Sequence, residues 1–170
     1  MGTVYWITGL SGAGKTTIGK LFYEKLRQVQ PGTVFLDGDI LREVFGADLG
    51  YSEPERRKCA MRYARLCKML QEQGMNVVCC TISMFHEVRE WNRKYIESYK
   101  EIYIKASMET LISRDQKGLY SGKTTEREKE VVGVQTASEE PRHPDLILEN
   151  DGDWTPEEQA DRILALACSE

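Results

Sequence analysis

One segment, residues 9–16, constrains the fold of this chain more than any other. It reads Gly-Leu-Ser-Gly-Ala-Gly-Lys-Thr, which fits the phosphate-binding loop pattern of Gly, four residues, then Gly-Lys and Ser or Thr. Residues 4–8 before it are mostly apolar and predict a buried strand, and apolar residues recur after Lys15 at helical spacing. This strand–loop–helix context favours a true phosphate loop over a glycine-rich turn that binds nothing.

The residue types in this segment suit the binding of a nucleoside triphosphate. Glycines let backbone amides converge on phosphate oxygens, and the N-terminus of the following helix adds partial positive charge. We expect Lys15 to reach the β- and γ-phosphates and the Thr16 hydroxyl to bind Mg²⁺. The predicted ATP-binding residues of this segment are Gly9, Ser11, Gly12, Ala13, Gly14, Lys15, Thr16 and Thr17.

Size and charge set the broad class of the protein. A chain of 170 residues, 41% hydrophobic and 29% charged, is expected to fold as one globular domain over residues 1–170. The net charge of −4 gives no basic excess, so neither nucleic acid nor a membrane is expected as a partner. No apolar run is long enough to span a membrane, and the first strand leaves no room for a signal peptide.

The cysteines agree with a cytoplasmic location. There are five, none in a Cys-x-x-Cys pair, which disfavours a zinc site and predicts mostly reduced core residues.

Strand and helix patterns alternate along the chain, which predicts an α/β fold with a parallel sheet and helices on both faces. The predicted strands are residues 4–8, 33–36, 76–82, 101–105 and 145–149. Helices are expected from Lys15 to the Pro31-Gly32 break, at 40–45, from the Ser52 capping box to Gly74, around Val88 to Tyr99, after Ser107, and after Thr155.

A polar segment at about residues 115–140 is long for a loop in a compact domain. Its Lys and Arg residues, in a chain with a phosphate loop, suggest a lid over the phosphates. A solvated helix at 125–132 is an alternative, and the two interpretations are compatible.

Three classes of protein share such an N-terminus: small-molecule kinases, GTPase switches and ATP-driven machines. The chain lacks the Asn-Lys-x-Asp base-reading motif of GTPases and the Asp-Glu pair of ATP-driven machines. Instead, Asp37-Gly38-Asp39 closes the second strand, at the sheet edge where ligands bind. A kinase needs one carboxylate at the acceptor hydroxyl and another to hold waters on Mg²⁺. A simple turn with a helix cap is the alternative.

The chain resembles the adenylyl-sulfate (APS) kinases over nearly its whole length. The matching segments are the phosphate loop, Leu-Asp-Gly-Asp-x-x-Arg at 36–42, Asp-Leu-Gly-Tyr-Ser at 48–52, Ile-Ser at 82–83, Arg-Asp-x-Lys-Gly-Leu-Tyr at 114–120, and Pro141-x-x-Pro144-x-Leu146. The resemblance implies a P-loop NTPase fold, a homodimer, and transfer of the γ-phosphate of ATP to the ribose 3′-hydroxyl of a 5′-substituted nucleotide.

The resemblance also implies roles for individual residues. Asp39 would be the base or orienting group at the acceptor hydroxyl, which leaves Asp37 with Thr16 for the metal. Arg42 and Arg56 would bind the 5′ group of the acceptor, where a fork of donors suits phosphate or sulfate. The remaining assignments are Tyr51 stacking on the acceptor base, Ile82 and Ser83 in the acceptor pocket, Lys117 reaching the acceptor, and Arg114 lying on the ATP side. In the family, the position of Ser83 has been proposed to carry a phosphoserine; a polar group at a strand end is the simpler interpretation.

The chain departs from the family pattern in the acceptor pocket. Cys59 stands where the family has Asn, and Ile82-Ser83-Met84-Phe85-His86 replaces Ile-Ser-Pro-Tyr-Arg. In the lid, Val131 stands where the family has the Phe that completes a sandwich around adenine. Losing an aromatic stacking face costs on the order of 1–3 kcal/mol.

These departures predict that the chemistry is kept and the nucleotide differs. Because a pyrimidine needs less stacking surface, we expect cytidine diphosphoramidate, a precursor in capsule modification, as the acceptor. The alternatives are adenylyl sulfate, another nucleotide, or a nucleotide-binding regulator with no transfer activity.

Overall fold

The computed structural model describes residues 1–115, 118, 120 and 138–169. The strands of this part of the chain are β1 (Val4–Thr8), β2 (Thr33–Asp37), β3 (Asn76–Cys80), β4 (Tyr99–Lys105) and β5 (Leu146–Glu149). The helices are α1 (Lys15–Val29), α2 (Gly38–Val44), α3 (Glu53–Glu72), α4 (His86–Tyr95), α5 (Met108–Arg114) and α6 (Pro156–Cys168).

The five strands form one sheet in the order β2-β3-β1-β4-β5, and every neighbouring pair is parallel. The predicted parallel α/β fold is therefore confirmed. Because all strands run the same way, their carboxyl ends meet at one edge of the sheet, and β1 delivers the phosphate loop to the middle of that edge.

The two faces of the sheet are buried against different helices, as the alternation of side chains along β1 shows. Tyr5 and Ile7 pack with α1 and α6 on one face, where Phe22 meets the Tyr5 ring edge-on at 5.0 Å. Val4 and Trp6 lie on the other face, in the core formed with α3 and α4. The sheet is thereby clamped on both faces, which fixes the edge that carries the site.

Helix starts follow the predicted caps. The Thr155 hydroxyl accepts from the Glu158 amide at 3.2 Å, and the Glu158 carboxylate accepts from the Thr155 amide at 2.8 Å. At the start of α3, the Glu55 carboxylate accepts from the Ser52 amide at 3.3 Å and from the Ser52 hydroxyl at 2.5 Å. These local bonds satisfy backbone donors that a helix start otherwise leaves without partners.

Several predicted boundaries were wrong by a few residues. β3 ends at Cys80 rather than at residue 82, because its pairing with β1 ends at Ile7–Cys80 and its pairing with β2 ends at Asp37–Cys80. α2 begins at Gly38 rather than at residue 40, because the Asp37 carboxylate caps the Asp39 amide. Tyr99 belongs to β4 and not to the preceding helix, since α4 ends at Tyr95 and the chain is extended at Ile96.

Two side chains that continue the apolar helical spacing are exposed. Val29, the last residue of α1, is 64% exposed, and Tyr95, the last residue of α4, is 47% exposed. Both lie where a helix leaves the core, so the apolar periodicity continues one position past the burial. Within the described residues, no helix has the length and apolar character that crossing a membrane requires.

Candidate active site

The phosphate loop owes its path to glycines with positive φ. Gly9, Gly12 and Gly14 have φ values of +155°, +82° and +107°. A Cβ on Gly9 would lie 2.3 Å from the carbonyl oxygen of Ile104 in β4, so no other residue fits there without moving β4. Gly14 occupies the N-cap position of α1, which presents the amide end of that helix to the loop.

Side chains donate hydrogen bonds to four carbonyl oxygens of the phosphate loop. Four successive carbonyls accept such bonds: Leu10 from Lys15 Nζ at 2.7 Å, Ser11 from the Tyr120 hydroxyl at 2.6 Å, Gly12 from Arg114 Nη1 at 3.2 Å, and Ala13 from Asn150 Nδ2 at 2.8 Å. Each donor offsets the partial negative charge of a peptide oxygen near the place where phosphates would bind. The loop is therefore braced in a form that suits an anion.

Two of these braces, Asn150 and Tyr120, were not predicted. Asn150 follows β5, and its position as a polar residue at the end of a parallel strand is the sequence signal that could have identified it. Burial raises the pKa of Tyr120 to about 12, which keeps its hydroxyl protonated as a donor. Arg114 contacts the phosphate loop at Gly12, and its Nη2 also donates to the Asn150 carbonyl at 2.7 Å; its place on the ATP side stays a prediction.

The Asp37 carboxylate joins the loop to the end of β2. Its Oδ2 accepts from the Thr16 hydroxyl at 2.8 Å, and its Oδ1 accepts from the Asp39 amide at 2.9 Å. A hydroxyl and a buried carboxylate side by side are hard oxygen ligands of the kind that Mg²⁺ prefers. Because the described residues contain no cluster of three or more His, Cys, Asp or Glu, these two side chains could hold the ion only with phosphate and water oxygens completing its shell.

A single cavity of about 530 Å³ extends from the loop across the ends of β2 and β3. This volume lies in the range of small-molecule sites. It brings together most of the predicted site residues: Ser11, Gly12, Gly14, Lys15, Thr16, Thr17, Asp37, Asp39, Arg42, Tyr51, Arg56, Cys59, Ile82 and Ser83. Gly9, Ala13 and Arg114 lie outside its lining, and Lys117 and Val131 lie outside the described residues.

Two arginines hold Tyr51 at the cavity wall. Arg42 Nη1 donates to the carbonyls of Leu49 and Gly50, both at 3.0 Å, and its guanidinium lies 4.2 Å from the centre of the Tyr51 ring. Arg56 Nε donates to the Tyr51 carbonyl at 2.7 Å, and its guanidinium lies 5.4 Å from the same ring. The ring and both cations are thus fixed in one cluster that could receive an anionic group and a base.

Another part of the cavity lining is more apolar and includes a strained serine. Cys59 and Tyr63 from α3 lie near Phe85, and the Tyr63 hydroxyl donates to the Gly38 carbonyl at 3.0 Å. Ser83 is 6% exposed, and its hydroxyl has no hydrogen-bond partner among the described residues. A buried hydroxyl without a partner in a cavity wall is a group that a ligand can satisfy.

The family model of adenylylsulphate kinase matches residues 1–149. The cytidine diphosphoramidate kinase of Campylobacter jejuni is 42% identical over 161 residues, covering 95% of this chain and 94% of that protein. The adenylyl-sulfate kinase of Paraburkholderia xenovorans is 33% identical over 165 residues, covering 96% and 92%.

The structural comparison agrees. The Mycobacterium tuberculosis APS kinase, solved in complex with AMPPNP and APS, superposes with a TM-score of 0.85 at 31% identity, covering 99% of this chain and 98% of that one. With this fold, this phosphate loop and these matches, the chain belongs to the adenylylsulphate kinase family.

Proposed function

We propose that the protein is a kinase that transfers the γ-phosphate of ATP to the ribose 3′-hydroxyl of a 5′-substituted nucleotide, with cytidine diphosphoramidate as its acceptor. The observation that carries the proposal is the single cavity lined both by the phosphate loop and by Asp39, Arg42 and Arg56. A donor and an acceptor held in one such cavity can react without either leaving the site.

On the donor side, the loop amides and Lys15 would hold the triphosphate and offset the charge that develops on the transferring phosphoryl group. Thr16 and Asp37 would hold Mg²⁺, which when bound neutralises charge on the phosphate oxygens. The four braced carbonyls keep the loop in shape while this happens.

On the acceptor side, the 3′-oxygen would form a bond to the γ-phosphorus while the bond to the β-phosphate oxygen breaks, releasing ADP. Asp39 would accept or orient the proton of the 3′-hydroxyl. Arg42 and Arg56 would bind the charged 5′ group, and Tyr51 would stack on the base. We assign Ser83 to binding of the acceptor, since its buried hydroxyl has no partner among the described residues.

Two observations favour cytidine over adenylyl sulfate. The part of the cavity lining that includes Cys59, Ser83 and Phe85, which we call the acceptor wall, offers the small Cys59 side chain. Sequence register gives Val131 where an aromatic ring would complete a purine sandwich. The relative named as a cytidine diphosphoramidate kinase is also more similar to this chain, at 42%, than the adenylyl-sulfate kinase at 33%.

A side-by-side assay tests the acceptor. Purified protein with ATP and Mg²⁺ would receive cytidine diphosphoramidate or adenylyl sulfate, and ADP release would be followed by a coupled assay. We expect the larger kcat/KM with the cytidine compound. A preference for adenylyl sulfate would overturn the choice of acceptor, and ADP release that is absent with every acceptor would favour the nucleotide-binding regulator.

The remaining assignments extend the same proposal. We infer that residues 1–170 form one domain, that the enzyme is a homodimer as the family resemblance implies, and that it works in the cytoplasm, where ATP is abundant. Light scattering on the purified protein tests the dimer.

A further inference from the structure

One buried arginine on α4 contacts three segments of the chain. Arg89 is 3% exposed. Its Nη1 donates to the carbonyl of Ser83 at 3.2 Å, and its Nη2 lies 3.0 Å from Nδ1 of His86. Nη2 also donates to the carbonyl of Glu139, where the described chain resumes after the polar segment. One guanidinium therefore joins the loop after β3 to the residues that precede β5.

The segment around Glu139 is attached to the same loop by further bonds. Its amide donates to the Met84 carbonyl at 3.0 Å, and its carboxylate accepts from the His86 amide at 3.1 Å. Arg57 Nη2 lies 3.2 Å from the same carboxylate, and its guanidinium covers the Phe85 ring at 4.5 Å. The segment from Ser83 to His86 and the segment at Glu139 thus form one hydrogen-bonded unit, and Arg89 bonds to both segments.

Ser83 is the point where this unit meets the cavity. Its φ of +32° is a strained conformation for a residue with a side chain, and such strain persists only where the surroundings impose it. The bond from Arg89 to its carbonyl is one such constraint, and the Thr8 hydroxyl donates to the carbonyl of the preceding Ile82. The result is a buried hydroxyl at a fixed place in the cavity wall, without a partner among the described residues.

Burying a guanidinium costs desolvation free energy, so a buried arginine calls for a specific reason. Arg89 Nε lies 3.9 Å from Oε1 of Glu101, itself buried in β4, and burial raises the pKa of Glu101 and lowers that of Arg89. A well-packed apolar residue could fill such a position at no loss of stability. The planar fork of Arg89 instead bonds two carbonyls through two different nitrogens, which neither an apolar residue nor the single nitrogen of a lysine reproduces.

We propose that Arg89 is a positioning residue for the acceptor nucleotide, acting through Ser83, whose hydroxyl it holds where that group bonds a polar atom of the acceptor. This inference rests on the proposed kinase function. It predicts an effect on the acceptor and none on ATP, since among the described residues Arg89 makes no hydrogen bond to the phosphate loop.

The test compares Arg89→Lys with a matched control, Arg93→Lys. Arg93 lies one turn further along α4 and also pairs with Glu101, but its other partners, Asp145 and the His143 carbonyl, lie away from the cavity. We expect Arg89→Lys to raise the acceptor KM about tenfold, the effect of losing one bond to a charged donor. The KM for ATP should change less than twofold, and Arg93→Lys should leave both values unchanged.

A double-mutant cycle asks whether the effect passes through Ser83. If it does, Ser83→Ala combined with Arg89→Lys will raise the acceptor KM no more than the larger single change. A second variant, Arg89→Met with Glu101→Gln, removes both buried charges and guards against misfolding of the first. It should show the same selective rise.

The outcomes separate the two proposals. An active wild type, with an acceptor KM that Arg89→Lys leaves unchanged or with additive effects in the cycle, would overturn the positioning role alone. A wild type that turns over no acceptor would overturn the proposed function and this inference with it.

Discussion

The side-chain amide of Asn150 donates a hydrogen bond to the carbonyl oxygen of Ala13 at 2.8 Å, which ties the end of β5 to the phosphate loop. The fit is close, since a Cβ on Gly14 would lie 2.6 Å from the same Asn150 nitrogen. The backbone N–H of Asn150 donates to the carbonyl of Lys105, at the end of β4. The loop is thus held by strands that take no part in the acceptor wall.

From this brace we predict that Asn150→Ala weakens ATP binding and spares the acceptor. A net hydrogen bond of about 0.5–1.5 kcal/mol corresponds to a rise of roughly two- to tenfold in the KM for ATP. Gln159→Ala is the matched control, because its buried amide bonds the neighbouring Glu149 carbonyl at 2.8 Å but does not touch the loop. Steady-state kinetics with each substrate varied provides the measurement, and equal changes in both KM values would contradict the role.

We predict that Asp39→Asn and Lys15→Ala each nearly abolish turnover. Loss of a proton acceptor costs about 10²–10⁴-fold in rate. Loss of Lys15 removes the cation that we assign to the β- and γ-phosphates. Single-turnover measurements separate this from weaker binding. Near-normal rates in either variant would contradict the proposed mechanism.

The Thr16 and Asp37 pair should set the requirement for magnesium. We expect Thr16→Val to raise the Mg²⁺ concentration for half-maximal rate, since it deletes the hydroxyl that lies 2.8 Å from the Asp37 carboxylate. Asp48→Asn, at an exposed ion pair with Arg62, serves as the control. A magnesium titration that is identical in Thr16→Val and the control would exclude the assigned site.

Val131→Phe should improve the use of adenylyl sulfate. The added ring restores a stacking face worth on the order of 1–3 kcal/mol, and we expect kcat/KM for cytidine diphosphoramidate to change little. Both acceptors are assayed with the variant and the parent. Unchanged affinity for adenylyl sulfate would show that stacking at this position does not select the base.

Burial is the main cause that lowers the pKa of His86 below its usual 6.5. Nearby cations lower it and nearby carboxylates raise it; the groups are Arg142, Arg89, Glu139 and Glu90. Since the folded protein then binds this proton less readily than the unfolded chain, stability should rise with pH through the interval between the folded value and 6.5, and be lost below it.

The chain has two histidines, so NMR titration of the wild type and of His86→Gln assigns each signal. We expect the His86 signal to titrate below 6.5, and His86→Gln to flatten the pH dependence of unfolding in that interval. A His86 signal that titrates above 6.5 would contradict the burial argument.

The sequence predicted the parts of the site that local patterns define. The phosphate loop, the Asp37-Gly38-Asp39 turn and the Ser52 cap are each set by residues a few positions apart, so their spacing alone identifies them. The cavity then unites residues from separate motifs, which a parallel sheet achieves by bringing its strand ends together.

The braces were beyond the sequence because their partners are distant in the chain. Asn150 bonds a residue 137 positions away and Tyr120 one 109 positions away. The place of Asn150 after a strand and that of Tyr120 in the 114–120 motif mark both residues, but neither pattern identifies the bonding partner. The end of β3 was placed too late for a similar reason. The apolar pattern continues to Ile82, but the pairing of β3 with β1 and β2 ends at Cys80, and the pairing of strands distant in the chain is not visible in the pattern.

The strand order β2-β3-β1-β4-β5 places two groups of site residues on opposite sides of β1. The strands on one flank of β1 carry Asp39 and Ser83 at their ends, whereas those on the other flank lead to Arg114 and Asn150. Under the proposed function, a substitution near Ser83 can therefore change the acceptor site without touching Arg114 or Asn150, whereas Asp37, at the end of β2 on the first flank, is bonded to Thr16 of the phosphate loop. Such a layout would allow the acceptor specificity to diverge among relatives while the phosphate loop keeps its supporting contacts.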